Sequence, residues 1–144
     1  MAEKASIWQV EASVDEINAG MGENMLSHLE IRVTEKGADY LKAEMPMTNK
    51  CRQPYGILHG GASAVLAESL GSLAANLCVN PQTQYCVGQS INASHLSSVR
   101  EGTVKASARP VHLGRRSQVW QIDITNEAGK PVCATRLTMA VLER

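Results

Sequence analysis

Hydrophobic positions follow a helical pattern in one long stretch of this chain, residues 62–77. Apolar side chains recur on nearly every side of that stretch, and its only charged residue is Glu68. A helix that is apolar all round is one that the fold buries. We expect it to begin at Gly60 or Gly61 and to end at Asn80-Pro81, because proline cannot continue a helix.

Elsewhere, apolar and polar residues alternate, which is typical of strands with one buried face. A short helix over residues 14–19 precedes them, since Ser13 and Glu16 have the spacing of a capping box. Gly20 and Gly22 are expected to end that helix. The predicted strands are residues 29–34, 40–45, 85–96, 103–109, 117–125 and 131–142.

This order of elements predicts an α+β fold. Two strands precede the apolar helix and four strands follow it in meander order, which favours an antiparallel sheet over β-α-β units. A helix that is apolar on all sides has to be enclosed, and a strongly curved sheet wrapped around one long buried helix does this. Residues 1–144 contain no visible repeat or linker and are expected to form a single domain.

Composition narrows the possible partners. The chain carries 14 basic and 14 acidic residues, which gives no net charge, so no nucleic acid and no membrane surface is expected to bind through long-range electrostatics. Cys51, Cys78, Cys86 and Cys133 have no CxxC spacing, so we expect free thiols and no metal site. The first residues lack the apolar core of a signal peptide, and we expect a cytoplasmic protein.

The segment from Gln53 to Ser69 carries the clearest chemical signal. Its sequence is QPYGILHGGASAVLAES, in which His59-Gly60-Gly61 opens the apolar helix and Glu68 follows seven residues after Gly61. This segment resembles the acyl-CoA thioesterases of the 4-hydroxybenzoyl-CoA superfamily, which have the hotdog fold. Within that superfamily, it resembles the dihydroxynaphthoyl-CoA thioesterases and their enterobactin-pathway paralogues.

Two further segments carry the same resemblance, which extends from about Leu29 to the end of the chain. They are residues 91–95 (INASH) and residues 112–120 (HLGRRSQVW). The resemblance implies hydrolysis of acyl-CoA thioesters with aromatic or bulky acyl groups, and acyl-carrier thioesters also remain open. It implies no cofactor, because coenzyme A is part of the substrate.

Thioester hydrolysis requires a polarised carbonyl and an activated nucleophile. The N-terminus of a helix offers free N–H groups, and by resemblance the Gly61 N–H is the oxyanion donor. Glu68 is then either the nucleophile or the general base that activates water. Gln53 and His59 are expected to bond the acyl carbonyl or to order the loop. Ser72, one turn beyond Glu68, is a candidate for holding the attacking water.

The coenzyme arm needs hydrogen-bonding and cationic groups of its own. By resemblance, the corner at Gly114, Arg115 and Arg116 is the best candidate for binding the phosphates, together with His112. Further cationic candidates are Arg100 and Lys105. The residues expected to line the pantetheine channel are His95, Ser97 and Ser98.

Helix geometry places a limit on this arrangement. Gly61 and Glu68 are separated by about 10 Å along one helix at 1.5 Å per residue, so one carbonyl cannot easily reach both. Two antiparallel helices from two chains would bring the Gly61 end of one beside Glu68 of the other. We therefore expect a homodimer with shared active sites, and the resemblance implies that dimers pair again into a homotetramer.

Simpler structural roles remain open for each of these residues. Glu68 could be a buried carboxylate satisfied by a backbone N–H or an arginine, and burial would raise its pKa. His59 could cap the helix, Ser72 could be a small polar spacer, and the arginine corner could be merely solvated. Two other functions also stay open, namely a hotdog-fold enoyl-thioester hydratase or dehydratase and a non-catalytic acyl-CoA-binding protein.

Overall fold

The computed structural model describes residues 5–144, and the fold follows the predicted order of elements. The helices are α1 (Val14–Gly20), α2 (Met25–His28) and α3 (Gly60–Leu77). The strands are β1 (Arg32–Lys36), β2 (Leu41–Pro46), β3 (Gln84–His95), β4 (Thr103–Leu113), β5 (Ser117–Thr125) and β6 (Pro131–Glu143).

The six strands form one antiparallel sheet in the order β1-β2-β4-β5-β6-β3. Helix α3 packs against its inner face and contacts β2, β3, β4, β5 and β6. The predicted α+β architecture, with an antiparallel sheet around one long helix, is therefore confirmed. Within residues 5–144, no helix is long and apolar enough to cross a membrane.

The core lies between α3 and the inner face of the sheet. Leu66 and Leu70 of the helix are fully buried, in one hydrophobic cluster with strand residues such as Trp120 and Leu137. Gly71 allows close packing, since a Cβ at that position would stand 2.4 Å from Cδ2 of Leu137. One face of α3 is thus committed to the sheet, while the opposite face is only partly covered.

The N-terminal elements differ in one respect from the prediction. The capping box of Ser13 and Glu16 is present at the start of α1, as predicted. The first strand, however, begins at Arg32 rather than at Leu29. The reason is that Leu29 still donates its N–H to the carbonyl of Met25 at the end of α2, so the helix end occupies the residues expected to start the strand.

Strand β3 forms one edge of the sheet. It pairs with β6 alone, and most of its residues after Cys86 are exposed, including Val87 at 42%. Its other edge therefore presents backbone N–H and C=O groups that no described strand pairs. Residues on its inner side, Gly88 and His95 among them, face α3.

Candidate active site

Glu68 lies on the side of α3 that borders the edge strand β3, and its side chain is exposed in the single chain. The expected burial of this carboxylate is therefore wrong for one chain. Within residues 5–144 it has no hydrogen bond and no ion pair. The structural alternative of a carboxylate satisfied by a backbone N–H or an arginine is not what the structure has.

A cavity of about 710 Å³ opens beside Glu68. One wall belongs to α1, α2 and the segment before them, and the other wall is the outward face of α3. The apolar lining residues are Val10, Ala12, Ile17, Met25, Leu26, Val65, Leu73, Leu77 and Pro81. Polar groups are concentrated on the α3 wall, where Glu68, Ser69, Ser72 and Asn76 line the cavity.

Ser72 and Asn76 differ in how freely they face this cavity. The Ser72 hydroxyl lies 3.8 Å from Sδ of Met139, a weak contact that leaves it available to a polar group in the cavity. Asn76 is committed to the fold, because its Nδ2 donates to the carbonyls of Ser72 (2.9 Å) and Cys86 (3.1 Å). Its Oδ1 accepts from the Cys86 N–H at 2.8 Å. Asn76 therefore ties α3 to β3.

His59 caps the N-terminus of α3. Its Nδ1 accepts a hydrogen bond from the Gly61 N–H at 2.8 Å, so the simpler role considered for His59 is observed. The N–H expected to act as oxyanion donor is therefore already partnered. The neighbouring Gly60 N–H has no hydrogen bond within residues 5–144. The helix terminus thus offers one free donor and one that an imidazole occupies.

A second cavity, of about 400 Å³, lies at this end of α3. It is lined by Gln53, Ile57, Leu58, Gly60, Ser63, His95, Leu96, Ser97, Ser98 and Val132. Oε1 of Gln53 accepts from the Tyr55 N–H, which leaves its amide NH₂ free to donate. The His95 imidazole packs on Gly60, where a Cβ would stand 2.8 Å from Nε2. Ser97 donates its hydroxyl to the Pro131 carbonyl at 2.6 Å.

The predicted site residues therefore fall into separate groups on one chain. Glu68 and Ser72 line the first cavity, whereas Gln53, His95, Ser97 and Ser98 line the second. Both cavities border α3, one beside the middle of the helix and the other at its first turn. A single chain does not unite them around one carbonyl.

The arginine corner lies elsewhere again, between β4 and β5. Gly114 and Arg115 border a cleft with Cys78 and Val79, beyond the C-terminal end of α3. A Cβ on Gly114 would meet Nε2 of His112 at 2.4 Å, so that imidazole folds back over the corner. Arg115 and Arg116 are exposed, and neither is ion-paired within the described part of the chain.

The cysteines take no part in either cavity. All four are free, as predicted, and all four are buried. Burial, with a smaller contribution from neighbouring Cys86, raises the pKa of Cys78 to about 12, and burial also raises the pKa of Cys86 and Cys133. Thiols of this kind are protonated at neutral pH and are poor nucleophiles.

Residues 55–133 match the family described as the thioesterase superfamily. The matched region contains the helix α3 with Glu68, His95 and the arginine corner. The chain belongs to the thioesterase superfamily. It is 50% identical over 137 residues to the 1,4-dihydroxy-2-naphthoyl-CoA hydrolase of Escherichia coli, covering 94% of this chain and 99% of that protein.

Solved structures place this thioesterase in the same fold. Thioesterase HI1161 from Haemophilus influenzae superimposes with a TM-score of 0.92 and 43% identity, covering 95% of each chain. A mutant of thioesterase PA1618 from Pseudomonas aeruginosa gives 0.94 and 45% identity, covering 96% of this chain and 100% of that chain. The predicted hotdog fold is confirmed, and the protein is a thioester hydrolase.

Two residues of this thioesterase site were not singled out by the sequence patterns. Gly60 was predicted only as a helix start, although it supplies the unpartnered N–H. Gly88 sits within β3, and a Cβ at that position would stand 3.2 Å from Cδ of Glu68. A signal existed for Gly88, because a lone glycine inside a strand often marks a bulge or a close backbone approach.

Proposed function

We propose that this thioesterase hydrolyses acyl-CoA thioesters with aromatic or bulky acyl groups. The observation that carries the proposal is the unpartnered Glu68 carboxylate on the wall of a mostly apolar cavity of about 710 Å³. A cavity of that size and lining accommodates a ring system in contact with apolar side chains. The Escherichia coli relative, named as the hydrolase of an aromatic acyl-CoA, supports the same substrate class.

The active site is shared between two chains of a homodimer. Support comes from the separation of the two groups of residues, with Glu68 in one cavity and Gln53 and Gly60 in the other. The unpaired edge of β3 is a suitable place for two chains to join, since two such edges pair with each other through backbone hydrogen bonds. Dimers of this kind pair further into a tetramer.

In the proposed reaction, Glu68 acts either on the attacking water or on the thioester carbonyl carbon itself. As a general base, it takes a proton from water, whose oxygen adds to the carbonyl carbon to give a tetrahedral oxyanion. The carbon–sulfur bond then breaks, the electron pair leaves with sulfur, and the thiolate takes up the proton that Glu68 had removed from water, which gives the free acid and the thiol and restores the carboxylate. As a nucleophile, Glu68 would first form a mixed anhydride that water hydrolyses. Ser72 orients the attacking water in either case.

The first turn of the partner's α3 supplies donors for the oxyanion. The Gly60 N–H and the Gln53 amide are free to donate, and both border the second cavity. The Gly61 N–H joins them when the His59 imidazole yields its hydrogen bond to the substrate oxygen. Donors fixed by a backbone stabilise developing charge without reorganising during the reaction.

The CoA arm extends from this centre past His95, Ser97 and Ser98. Among the described residues, the exposed guanidinium groups of Arg115 and Arg116 have no carboxylate partner, which suits the binding of phosphate groups. His112 lies beside them at the same corner. We assign the phosphates of the coenzyme to this corner.

Release of free thiol from a panel of acyl-CoA and acyl-carrier thioesters tests the function. A chromogenic disulfide reports the thiol, and the panel compares benzoyl, other aryl, fatty and acetyl groups. We expect aryl-CoA esters to give the highest kcat/KM. Glu68→Gln and Glu68→Ala should lower kcat by at least about 100-fold, because a general base typically contributes that much or more to the rate.

Glu23→Gln is the matched control, because it removes a carboxylate that is exposed outside both cavities. It should hydrolyse the panel at the wild-type rate. Hydrolysis by Glu68→Gln at that same rate would refute the role of Glu68. A panel in which only acetyl-CoA is cleaved would refute the assignment of the acyl group.

A further inference from the structure

Gly88 is the residue of β3 that meets the Glu68 side chain. A Cβ on Gly88 would stand 3.2 Å from Cδ, 3.3 Å from Oε2 and 3.5 Å from Oε1 of that carboxylate. The first two distances are shorter than ordinary contacts between a Cβ and its neighbours, so a larger residue would displace the carboxylate by a few tenths of an ångström. The absent side chain of Gly88 therefore leaves the space in which the carboxylate rests.

The backbone around Gly88 is held at this distance by Asn76. Both polar ends of the Asn76 side chain bond the backbone of Cys86, two residues before Gly88, at 2.8 Å and 3.1 Å. A third bond, from Nδ2 to the Ser72 carbonyl at 2.9 Å, fixes the Asn76 amide on α3. Asn76 therefore fixes the spacing between α3 and β3 two turns beyond Glu68.

A change of register follows Gly88 directly. Gly88 pairs with Met139 and Ser90 pairs with Thr138, so Gln89 is an extra residue on β3. A bulge of this kind bends the strand and changes the direction of its side chains. The regular alternation of β3 is therefore interrupted directly after Gly88, beside the Glu68 carboxylate.

We propose that Gly88 and Asn76 are positioning residues that fix the Glu68 carboxylate for the hydrolytic step. Asn76 sets the distance between helix and strand, and the missing Cβ of Gly88 defines the place of the carboxylate. No hydrogen bond or ion pair within residues 5–144 holds Glu68, so the space left beside Gly88 is the feature of the fold that sets its position. This inference rests on the proposed role of Glu68.

Gly88→Ala is the direct test, measured by steady-state hydrolysis of an aryl-CoA ester. A small displacement of a reacting group costs rate more than binding, so kcat should fall about tenfold or more while KM changes less than about twofold. Asn76→Asp keeps an acceptor for the Cys86 N–H but loses both donated bonds. It should show the same division between kcat and KM.

A double-mutant cycle separates positioning from a general loss of structure. Glu68→Asp withdraws the carboxylate from Gly88 by one methylene, so adding Gly88→Ala to Glu68→Asp should change kcat by less than about twofold. The control is Val33→Ala, in the buried core of β1 at the opposite edge of the sheet. At a matched loss of thermal stability, Val33→Ala should keep the wild-type kcat.

The outcomes distinguish this inference from the proposed function. If Glu68→Gln hydrolyses at the wild-type rate, the role of Glu68 itself is wrong. If Glu68→Gln is inactive but Gly88→Ala and Asn76→Asp keep the wild-type kcat, the positioning role alone is overturned. Equal fold losses from Gly88→Ala in the wild-type and Glu68→Asp backgrounds would also overturn it. If Gly88→Ala does not fold, the kcat of Asn76→Asp decides the result.

Discussion

The N–H of Gly61 donates a 2.8 Å hydrogen bond to Nδ1 of His59, so the imidazole closes the N-terminus of α3. The same N–H is the one expected to polarise the substrate carbonyl. The two roles are compatible when the substrate oxygen takes the place of Nδ1, since the helix N-terminus then exchanges one acceptor for another. His59 in this way protects the donor in the free enzyme.

Replacement of His59 should reveal how much its cap contributes to the stability of the fold. His59→Ala removes the acceptor at the N-cap and should lower the free energy of unfolding by about 1 kcal/mol. His59→Asn restores a good N-cap acceptor and should recover most of that loss. Urea unfolding of the two variants measures the difference. Equal stabilities for His59→Ala and His59→Asn would contradict the capping role.

The wall of the first cavity should limit the size of the acyl group that the enzyme accepts. Val65 is half-buried and lines that cavity on α3. Val65→Phe should fill part of the space and lower kcat/KM for benzoyl-CoA by about tenfold or more, because the ring then has no room. Acetyl-CoA, which needs little of the cavity, serves as the internal control. A parallel fall for both substrates would show that the acyl group binds elsewhere.

The arginine corner should contribute to the binding of the coenzyme and not to the binding of the acyl group. Arg115→Ala with Arg116→Ala removes two charged donors and should raise KM for aryl-CoA by about tenfold or more. Aryl thioesters of short thiols that lack the nucleotide should be unaffected. The control is Arg109→Ala with Arg136→Ala, which makes the same charge change on exposed strand positions. An equal effect on both substrate types would refute phosphate binding at the corner.

Because the thiols are buried, they should react slowly with thiol reagents in the native protein. Their burial should also make the stability of the fold decrease at alkaline pH. Burial raises the pKa of Cys78 from 9.0 to about 12, so a chromogenic disulfide at pH 8 should label few native thiols and all four in denaturant. Below pH 9, Cys78 is protonated whether folded or unfolded, and it has little effect on stability. Between pH 9 and 12 only the unfolded state releases the proton, so stability falls as the pH rises.

Unfolding at pH 8, 9.5 and 10.5 measures that fall. Cys78→Ser, whose hydroxyl does not titrate in this range, should flatten the pH dependence attributed to the thiol. A slope that Cys78→Ser leaves unchanged would assign the alkaline effect to other groups. Rapid labelling of four thiols in the native protein would contradict their burial.

The sequence predicted the order of the strands and of α3 along the chain better than it predicted the details of the site. Alternating residues and the apolar helix were sufficient for the strands and for α3, because each pattern matches one period of backbone structure. The start of β1 was predicted too early. Leu29 and Glu30 donate their N–H groups to carbonyls of α2, although apolar and polar residues already alternate at these positions. The local pattern of apolar and polar residues did not distinguish the end of α2 from the start of β1.

Within the site, the sequence named most groups but not their surroundings. Glu68 was expected to be buried because its neighbours along the chain are apolar, yet burial depends on which face of α3 meets the sheet. The contact of Gly88 with Glu68 joins residues twenty positions apart, and only the folded chain reveals it. The separation of Glu68 from Gln53 into two cavities likewise depends on the three-dimensional path of the loop.

The sharing of the active site between two chains is tested most directly by mixing two inactive variants. Glu68→Gln lacks the carboxylate, and Gln53→Ala lacks the amide donor in the cavity at the first turn of α3. In a mixed dimer, one of the two sites receives both intact groups. Random exchange makes half of the dimers mixed, so about one quarter of the wild-type activity should return.

Native mass spectrometry of differently tagged chains establishes that exchange has occurred before the activity is read. Each variant alone, carried through the same exchange, gives the baseline. The shared site predicts that the exchanged mixture recovers about one quarter of the wild-type thiol release. Activity that stays at the mean of the two variants, with mixed dimers present, would contradict it.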